Sequence, residues 1–98
     1  MLNLASIKTL HKNVTSAGTP EALGSYPVPD GVTVVVRAKA GNAGSIYIGG
    51  NSDGALAANS SYFELSGGQS VTLAVQNLSG VWLDAANSGD GVQVIFES

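Results

Sequence analysis

Serines are plentiful in this chain, but His11 is its one histidine. Nucleophilic catalysis needs a base beside the nucleophile, and a third group that orients the base. His11 falls in the N-terminal segment, where we interpret it as a surface residue of the first strand. The sequence therefore predicts no histidine-based active site, and we expect no catalytic residue in the chain.

Three aspartates lie in or beside loops: Asp53, Asp84 and Asp90. Acid–base catalysis by paired carboxylates would require a cleft that separates their pKa values, and no pattern in the sequence predicts a cleft. Together with Asn51 they offer oxygen ligands suited to calcium, but the spaced acidic loop of an EF-hand is absent. Aspartate in a turn commonly bonds nearby backbone, so we interpret these residues as turn formers. We expect neither a metal site nor a cofactor, and the chain is predicted not to be an enzyme.

The charge pattern argues against nucleic acid and membrane partners. The formal net charge is −3, and the four basic residues are Lys8, Lys12, Arg37 and Lys39, which are too few and too scattered for a phosphate-binding footprint. No apolar run approaches the roughly 20 residues of a membrane span. The N-terminus lacks the basic-then-apolar order of a signal peptide, so we expect use without secretory export.

Charged residues make up only 11% of the chain, less than half of the usual ~25%. Its polar surface must therefore come from serine, threonine, asparagine, glutamine and glycine. Such a surface does not strongly repel neighbouring copies. There is no cysteine, so stability must come from packing and from assembly rather than from disulfides or thiolate metal sites.

Apolar residues recur with period two, the pattern of half-buried strands. The pattern predicts strands at 12–16, 21–24, 32–37, 46–48, 62–65, 71–76, 81–83 and 92–97, separated by turns rich in glycine and asparagine. One of these turns, 41–44, is predicted to close a tight hairpin. No crossover helix fits between the strands, so the fold class is all-β: an antiparallel β-sandwich or jelly roll of about 7–8 strands.

The first residues follow a different pattern. Leu4, Ile7 and Leu10 recur at three-residue steps, which suits either a short helix or an extended arm. Either form needs a support, because short isolated helices are marginal in water. That support is the domain's own sheet or a neighbouring subunit. We therefore divide the chain into a short N-terminal arm, residues 1–11, and a β-sandwich domain, residues 12–98.

Both faces of the predicted strands carry apolar residues. The residues predicted to face the core are Val32, Val34, Val36, Ile46, Ile48, Val71, Leu73, Val75, Val81, Leu83, Val92, Val94 and Phe96. The opposite face includes Val35, Tyr47, Ala74, Trp82 and Ile95. Two interpretations are open: the N-terminal arm or the loop 24–31 covers this second face, or the face is a subunit interface. A third use, carbohydrate binding, would employ Trp82, Tyr62 and Tyr47 as platforms.

Several segments resemble those of small bacteriophage virion β-sandwich proteins of the capsid decoration (cement) or head-fibre type. The similar segments are Val14–Leu23, Gly41–Gly49, Asn77–Ala85 and Gly89–Val94, so the resemblance covers roughly residues 12–97. It implies a sandwich that decorates a capsid, anchors a head fibre or lies in the tail. It also implies a virion location after assembly in the host cytoplasm, with the major capsid protein or another virion protein as partner. Self-association is implied as well, with a trimer among the forms that the resemblance allows.

The sequence thus predicts a capsid decoration protein that binds and stabilises the major shell. The alternative is a receptor- or carbohydrate-binding module of a fibre or tail, or a tail or head-completion component. The candidate contact residues are those of the N-terminal arm and of the outer patch: Leu2, Leu4, Ile7 and Leu10, with Val35, Trp82 and Ile95.

Overall fold

The computed structural model describes residues 6–56, 58 and 60–98, which form two sheets packed face to face. The strands are β1 Ile7–Asn13, β2 Glu21–Ala22, β3 Val34–Ala38, β4 Ile46–Gly49, β5 Phe63–Leu65, β6 Ser70–Leu73, β7 Trp82–Ala85 and β8 Gly91–Glu97. A single turn of helix, α1 Ser52–Ala55, follows β4, and a 3-10 helix, Leu78–Gly80, precedes β7. Neither helix is long enough to cross a membrane.

The strand order identifies a jelly roll. The first sheet runs β1-β8-β3-β6 and the second β2-β7-β4-β5, and all neighbours are antiparallel. Consecutive strands lie in different sheets, except for β4 and β5. Most connections therefore cross between the sheets, as jelly rolls require. The predicted fold class is confirmed.

The period-two pattern places the core where the sequence predicts it. In β3, Val34, Val36 and Ala38 are fully buried, whereas Arg37, which lies between Val36 and Ala38, is exposed. Three of the predicted core residues, Val71, Leu73 and Val75, are only partly buried, because β6 is the edge strand of its sheet. Four further residues complete the core, and the periodicity did not identify them as core residues: Val14, Leu23, Val28 and Leu78.

The predicted hairpin at 41–44 is wrong. β3 and β4, the strands on either side of it, belong to opposite sheets. The connection is an arch: Asn42 exchanges hydrogen bonds with the backbone of Gly91, its Nδ2 donating at 2.9 Å and its Oδ1 accepting at 3.0 Å. Glycine and asparagine suit both kinds of connection, because both need tight local backbone, so composition does not distinguish them.

The first strand begins at Ile7 rather than at residue 12. β1 pairs with β8 along its whole length, from Ile7 opposite Glu97 to Asn13 opposite Gly91. Residues 7–11, placed by the sequence in an arm, are therefore part of the sandwich. The physical reason is that β8 offers a complete ladder of backbone hydrogen bonds, and pairing satisfies both strands. Of the two forms considered, this segment takes the extended one, and its support is the domain's own sheet.

An ion pair joins the two sheets where β1 lies beside β2. Lys12 Nζ is 3.2 Å from Glu21 Oε1, and the Thr15 N–H donates to Glu21 Oε2 at 2.7 Å. The backbone hydrogen bond from Thr15 is the largest cause that lowers the pKa of Glu21 below its ordinary 4.5; burial opposes it, and Lys12 adds to the lowering.

This lowered pKa predicts an acid-sensitive contribution to stability. The charged Glu21 stabilises the fold above its unfolded pKa of 4.5, and the contribution disappears as the pH falls through the lower folded value. Glu21→Gln should therefore be less stable than the wild type near neutral pH, and the difference should shrink on acidification. Urea unfolding of both proteins between about pH 6 and about pH 3 measures it. A difference that stays constant over this range would contradict the assignment.

Candidate interaction surface

One side of the molecule is an uncovered sheet surface, formed by the outward residues of β1, β8, β3 and β6. We call it the outer face. Strand register arranges it in cross-strand rows. The apolar row contains Thr9, Ile95, Val35 and Thr72, and the basic row contains His11, Gln93, Arg37 and Ser70.

The apolar row exposes large hydrophobic side chains. Ile95 is 42% exposed and lies directly opposite the half-buried Val35. Ile7, 63% exposed, is two residues from Thr9, the partner of Ile95. Diagonal neighbours at this spacing are about 7–8 Å apart, within reach of large side chains. The three residues thus form a nearly continuous apolar strip on the outer face, and exposed apolar patches mark interaction sites when they are large.

Cations gather beside this strip. Lys39 Nζ lies 2.7 Å from Asn13 Oδ1 and 3.3 Å from His11 Nδ1. Arg37, in the basic row, is exposed. A shallow groove of about 750 Å³ is lined by these three basic residues, His11, Arg37 and Lys39, together with Thr9, Val35 and Ile95. The groove therefore has an apolar half and a basic half.

No carboxylate neutralises the basic half. None of the described residues that line the groove is acidic, and the ion pair of Lys12 with Glu21 lies away from this face. The acidic residue of the outer face is Glu97, opposite Ile7. It lies four residues along β8 from Gln93, or about 13 Å at the ~3.3 Å rise of a strand. The groove is thus a positive site on a chain whose net charge is −3.

The structure brings together three of the predicted contact residues: Ile7, Val35 and Ile95. Leu10 borders the groove, but it packs against the core from the opposite face of β1. Trp82 belongs to the other sheet. Val35, Trp82 and Ile95 therefore do not form one patch. The sequence could not predict this, because period-two alternation does not tell which sheet a strand joins. Leu2 and Leu4 lie outside the described residues.

The second sheet presents a different outward surface, in which Trp82 is half-buried. The rings of Tyr47 and Tyr62 have centroids 4.2 Å apart and are tilted by 47°. Burial is the largest cause that raises the pKa of Tyr47, and Tyr62, Glu64 and Asp84 raise it further.

Segments of the chain cover part of this second surface. Helix α1 packs on β4 and β7 so closely that a side chain at Gly49 would collide with the backbone of Gly54 and Ala55. The loop between β1 and β2 reaches Asp84, where the Gly18 N–H donates to Oδ1 at 2.8 Å. The N-terminal segment instead extends the first sheet as β1.

Asp84 and Asp90 accept hydrogen bonds from backbone N–H groups, and most of these donors belong to loops that are distant in sequence. Asp84 is fully buried and accepts from its neighbour Ala85 at 2.8 Å as well as from Gly18. Asp90 accepts from Ala43 N–H at 3.0 Å and from Gly44 N–H at 2.9 Å. Among the described residues, no three histidine, aspartate or glutamate side chains gather as a metal site would require.

The segment Gly50-Asn51-Ser52-Asp53-Gly54 matches the Gly-x-Ser-x-Gly pattern of a nucleophile turn. It follows β4, and its last three residues belong to α1. The strained nucleophile turn is not formed, since the one described non-glycine residue with positive φ is Ser60. His11 is on the outer face, on the other side of the sandwich from α1. Ser52 and His11 therefore do not form a catalytic pair.

Two features of the surface were not anticipated. We expected Arg37 and Lys39 to be scattered cations, but both line the groove together with His11. Their two-residue spacing was the available signal, because it places both on one face of a strand. Phe63, 58% exposed on β5, also stands apart from every predicted contact residue.

Comparison with known proteins adds no relative. A scan against protein-family models finds no match, and neither the curated proteins nor the solved structures include a match. The identification of a function therefore depends on the surface itself.

Proposed function

We propose that this protein is a structural component of a virus particle: a decoration protein that docks on the major capsid shell and stabilises it. The observation that carries the proposal is the apolar strip of Ile7, Ile95 and Val35 on the outer face. The core of the sandwich is complete without these side chains, so burying them requires a partner. The resemblance of several segments to phage virion proteins supplies the kind of partner.

The fold and composition agree with this role. Jelly rolls recur in viral capsid proteins, although they serve other functions as well. Charged residues are only 11% of the chain, so neighbouring copies on a shell repel one another weakly. A contact that uses a few apolar side chains is weak by itself. Repetition over a symmetric shell, and linkage of neighbouring copies, would turn it into firm binding.

The direct test mixes the purified protein with capsid shells prepared without it. We expect co-sedimentation and a higher melting temperature of the shells, because a ligand that binds the assembled state stabilises it. Ile95→Asp should weaken binding at least about tenfold, since it places an unpaired charge at the centre of the contact. Absence of binding, or binding that leaves the shell no more stable, would refute decoration.

Phe63→Asp is the matched control. It makes the same kind of change at a side chain that is also exposed, 58% against 42% for Ile95, but on the other sheet. We expect it to bind shells as the wild type does. Equal loss of binding in both variants would mean that the outer face has no special part in docking.

A second candidate function is recognition of a receptor or carbohydrate at a fibre or tail. The observation in its favour is the aromatic group on the second sheet, where Tyr47 contacts Tyr62 and Trp82 points to the same side of the sheet as Tyr47. Aromatic rings with polar tips suit partly wet ligand surfaces. A glycan array distinguishes the two functions: under this alternative, Trp82→Ala abolishes a glycan signal that Ile95→Asp leaves unchanged.

A further inference from the structure

We infer that the groove of the outer face binds a protein segment that presents carboxylates next to apolar side chains. This inference rests on the proposed function and specifies the chemistry of the docking partner. Arg37, Lys39 and His11 line one half of the groove, and Val35 and Ile95 the other half. A partner that fills both halves must therefore be acidic and apolar at once.

Charge complementarity determines the occupant. Lys39 is held by Asn13 at 2.7 Å, a neutral acceptor that orients the ammonium group without neutralising it. Arg37 faces Gln93 and Ser70 across the strands, and both are also neutral. A carboxylate that enters the groove thus meets cations, and none of the described residues that line the groove is acidic. Arginine binds carboxylates through two parallel hydrogen bonds, which adds orientation to attraction.

A second copy docking through the same face is a poorer occupant. In a two-fold symmetric dimer each surface meets itself, so the Arg37 and Lys39 side chains of both copies would crowd together. Nucleic acid is a poorer occupant as well. Its affinity depends on the number of phosphates neutralised, and this groove offers two permanent cations on a chain of net charge −3.

The test titrates the isotopically labelled full-length protein with a synthetic peptide in which glutamate alternates with valine. A length of about seven residues spans roughly 23 Å, enough to cover the groove. We expect backbone amide shifts at Arg37, Gln93 and Ile95, and none at Trp82. Affinity should fall when sodium chloride is raised from about 0.05 M to about 0.5 M, because salt screens exposed charges.

Charge-matched variants make the test specific. Arg37→Gln should weaken peptide binding about threefold, in the range of an exposed ion pair. Lys8→Gln removes one charge from the opposite side of β1, where Lys8 lies over the ring of Tyr26 at 5.6 Å, and should leave binding unchanged. A peptide with glutamine in place of glutamate should bind more weakly by at least the same factor as the Arg37 variant.

Several outcomes would overturn the inference: equal binding of the glutamine peptide, tighter binding of a single-stranded oligonucleotide of the same length, or a dimer that forms through this face in sedimentation experiments. The shell assay separates this inference from the proposed function. If shells bind the Arg37→Gln variant normally but reject Ile95→Asp, decoration stands and the acidic partner is wrong. If the acidic peptide binds the groove but no shell binds the protein, the groove chemistry stands and decoration is wrong.

Discussion

Replacement of Gly49 by alanine is expected to lower the free energy of unfolding by about 2–3 kcal/mol, at the upper end of the usual cost of overpacking. A side chain there would overlap the backbone of Gly54 and Ala55. Backbone cannot rotate aside as a flexible side chain can, so α1 must move away from β4 and β7. Urea unfolding followed by the fluorescence of Trp82, the one tryptophan of the chain, measures the loss.

The neighbouring glycine is the control for this prediction. A Cβ atom added at Gly50 would have no other heavy atom within 4 Å, and its φ is not in the positive region that favours glycine. Gly50→Ala should therefore change stability by no more than about 0.5 kcal/mol. If the two variants are equally stable, α1 does not pack against β4 as described.

Replacement of Asp90 by alanine should cost at least about 3 kcal/mol, because each of its two hydrogen bonds to a charged group contributes roughly 1.5–3 kcal/mol. The Asp90 carboxylate is 8% exposed and receives the N–H groups of Ala43 and Gly44 at 3.0 and 2.9 Å. These hydrogen bonds connect the arch between β3 and β4 to the residue that precedes β8. Thermal and urea unfolding both report this loss.

Two further variants isolate the role of these hydrogen bonds. Asp90→Asn should lose roughly half as much stability, since an amide can accept from one of the two N–H groups but presents its own donors to the other. Asp30→Ala removes the same charge from an exposed turn and should be nearly neutral. Equal stability of the Asp30 and Asp90 variants would show that the arch does not depend on the carboxylate.

The sequence predicted the strands and the core well, because both follow from local alternation. Val34 and Val36 are buried and Arg37 is exposed, as period two requires. The same reasoning failed for Leu10. The three-residue steps through it suit a short helix as well as an arm, and only pairing with β8 resolves the choice. Core residues outside the observed strands, such as Val14 and Leu78, were not identified by the pattern.

The outer face shows where sequence reasoning had to end. Val35, Ile95 and Trp82 all alternate with buried residues, so each was correctly predicted to point away from the core. Whether they adjoin depends on the sheet that each strand enters, and the jelly-roll order places β7 apart from β3 and β8.

By itself, then, the sequence determined which residues of each strand face inward, because burial alternates with a period set by backbone geometry. The tertiary structure alone decided which outward residues become neighbours, because strand pairing joins segments far apart in the chain. Arg37 and His11 meet on one groove only because β8 lies between β1 and β3. No local pattern encodes that order.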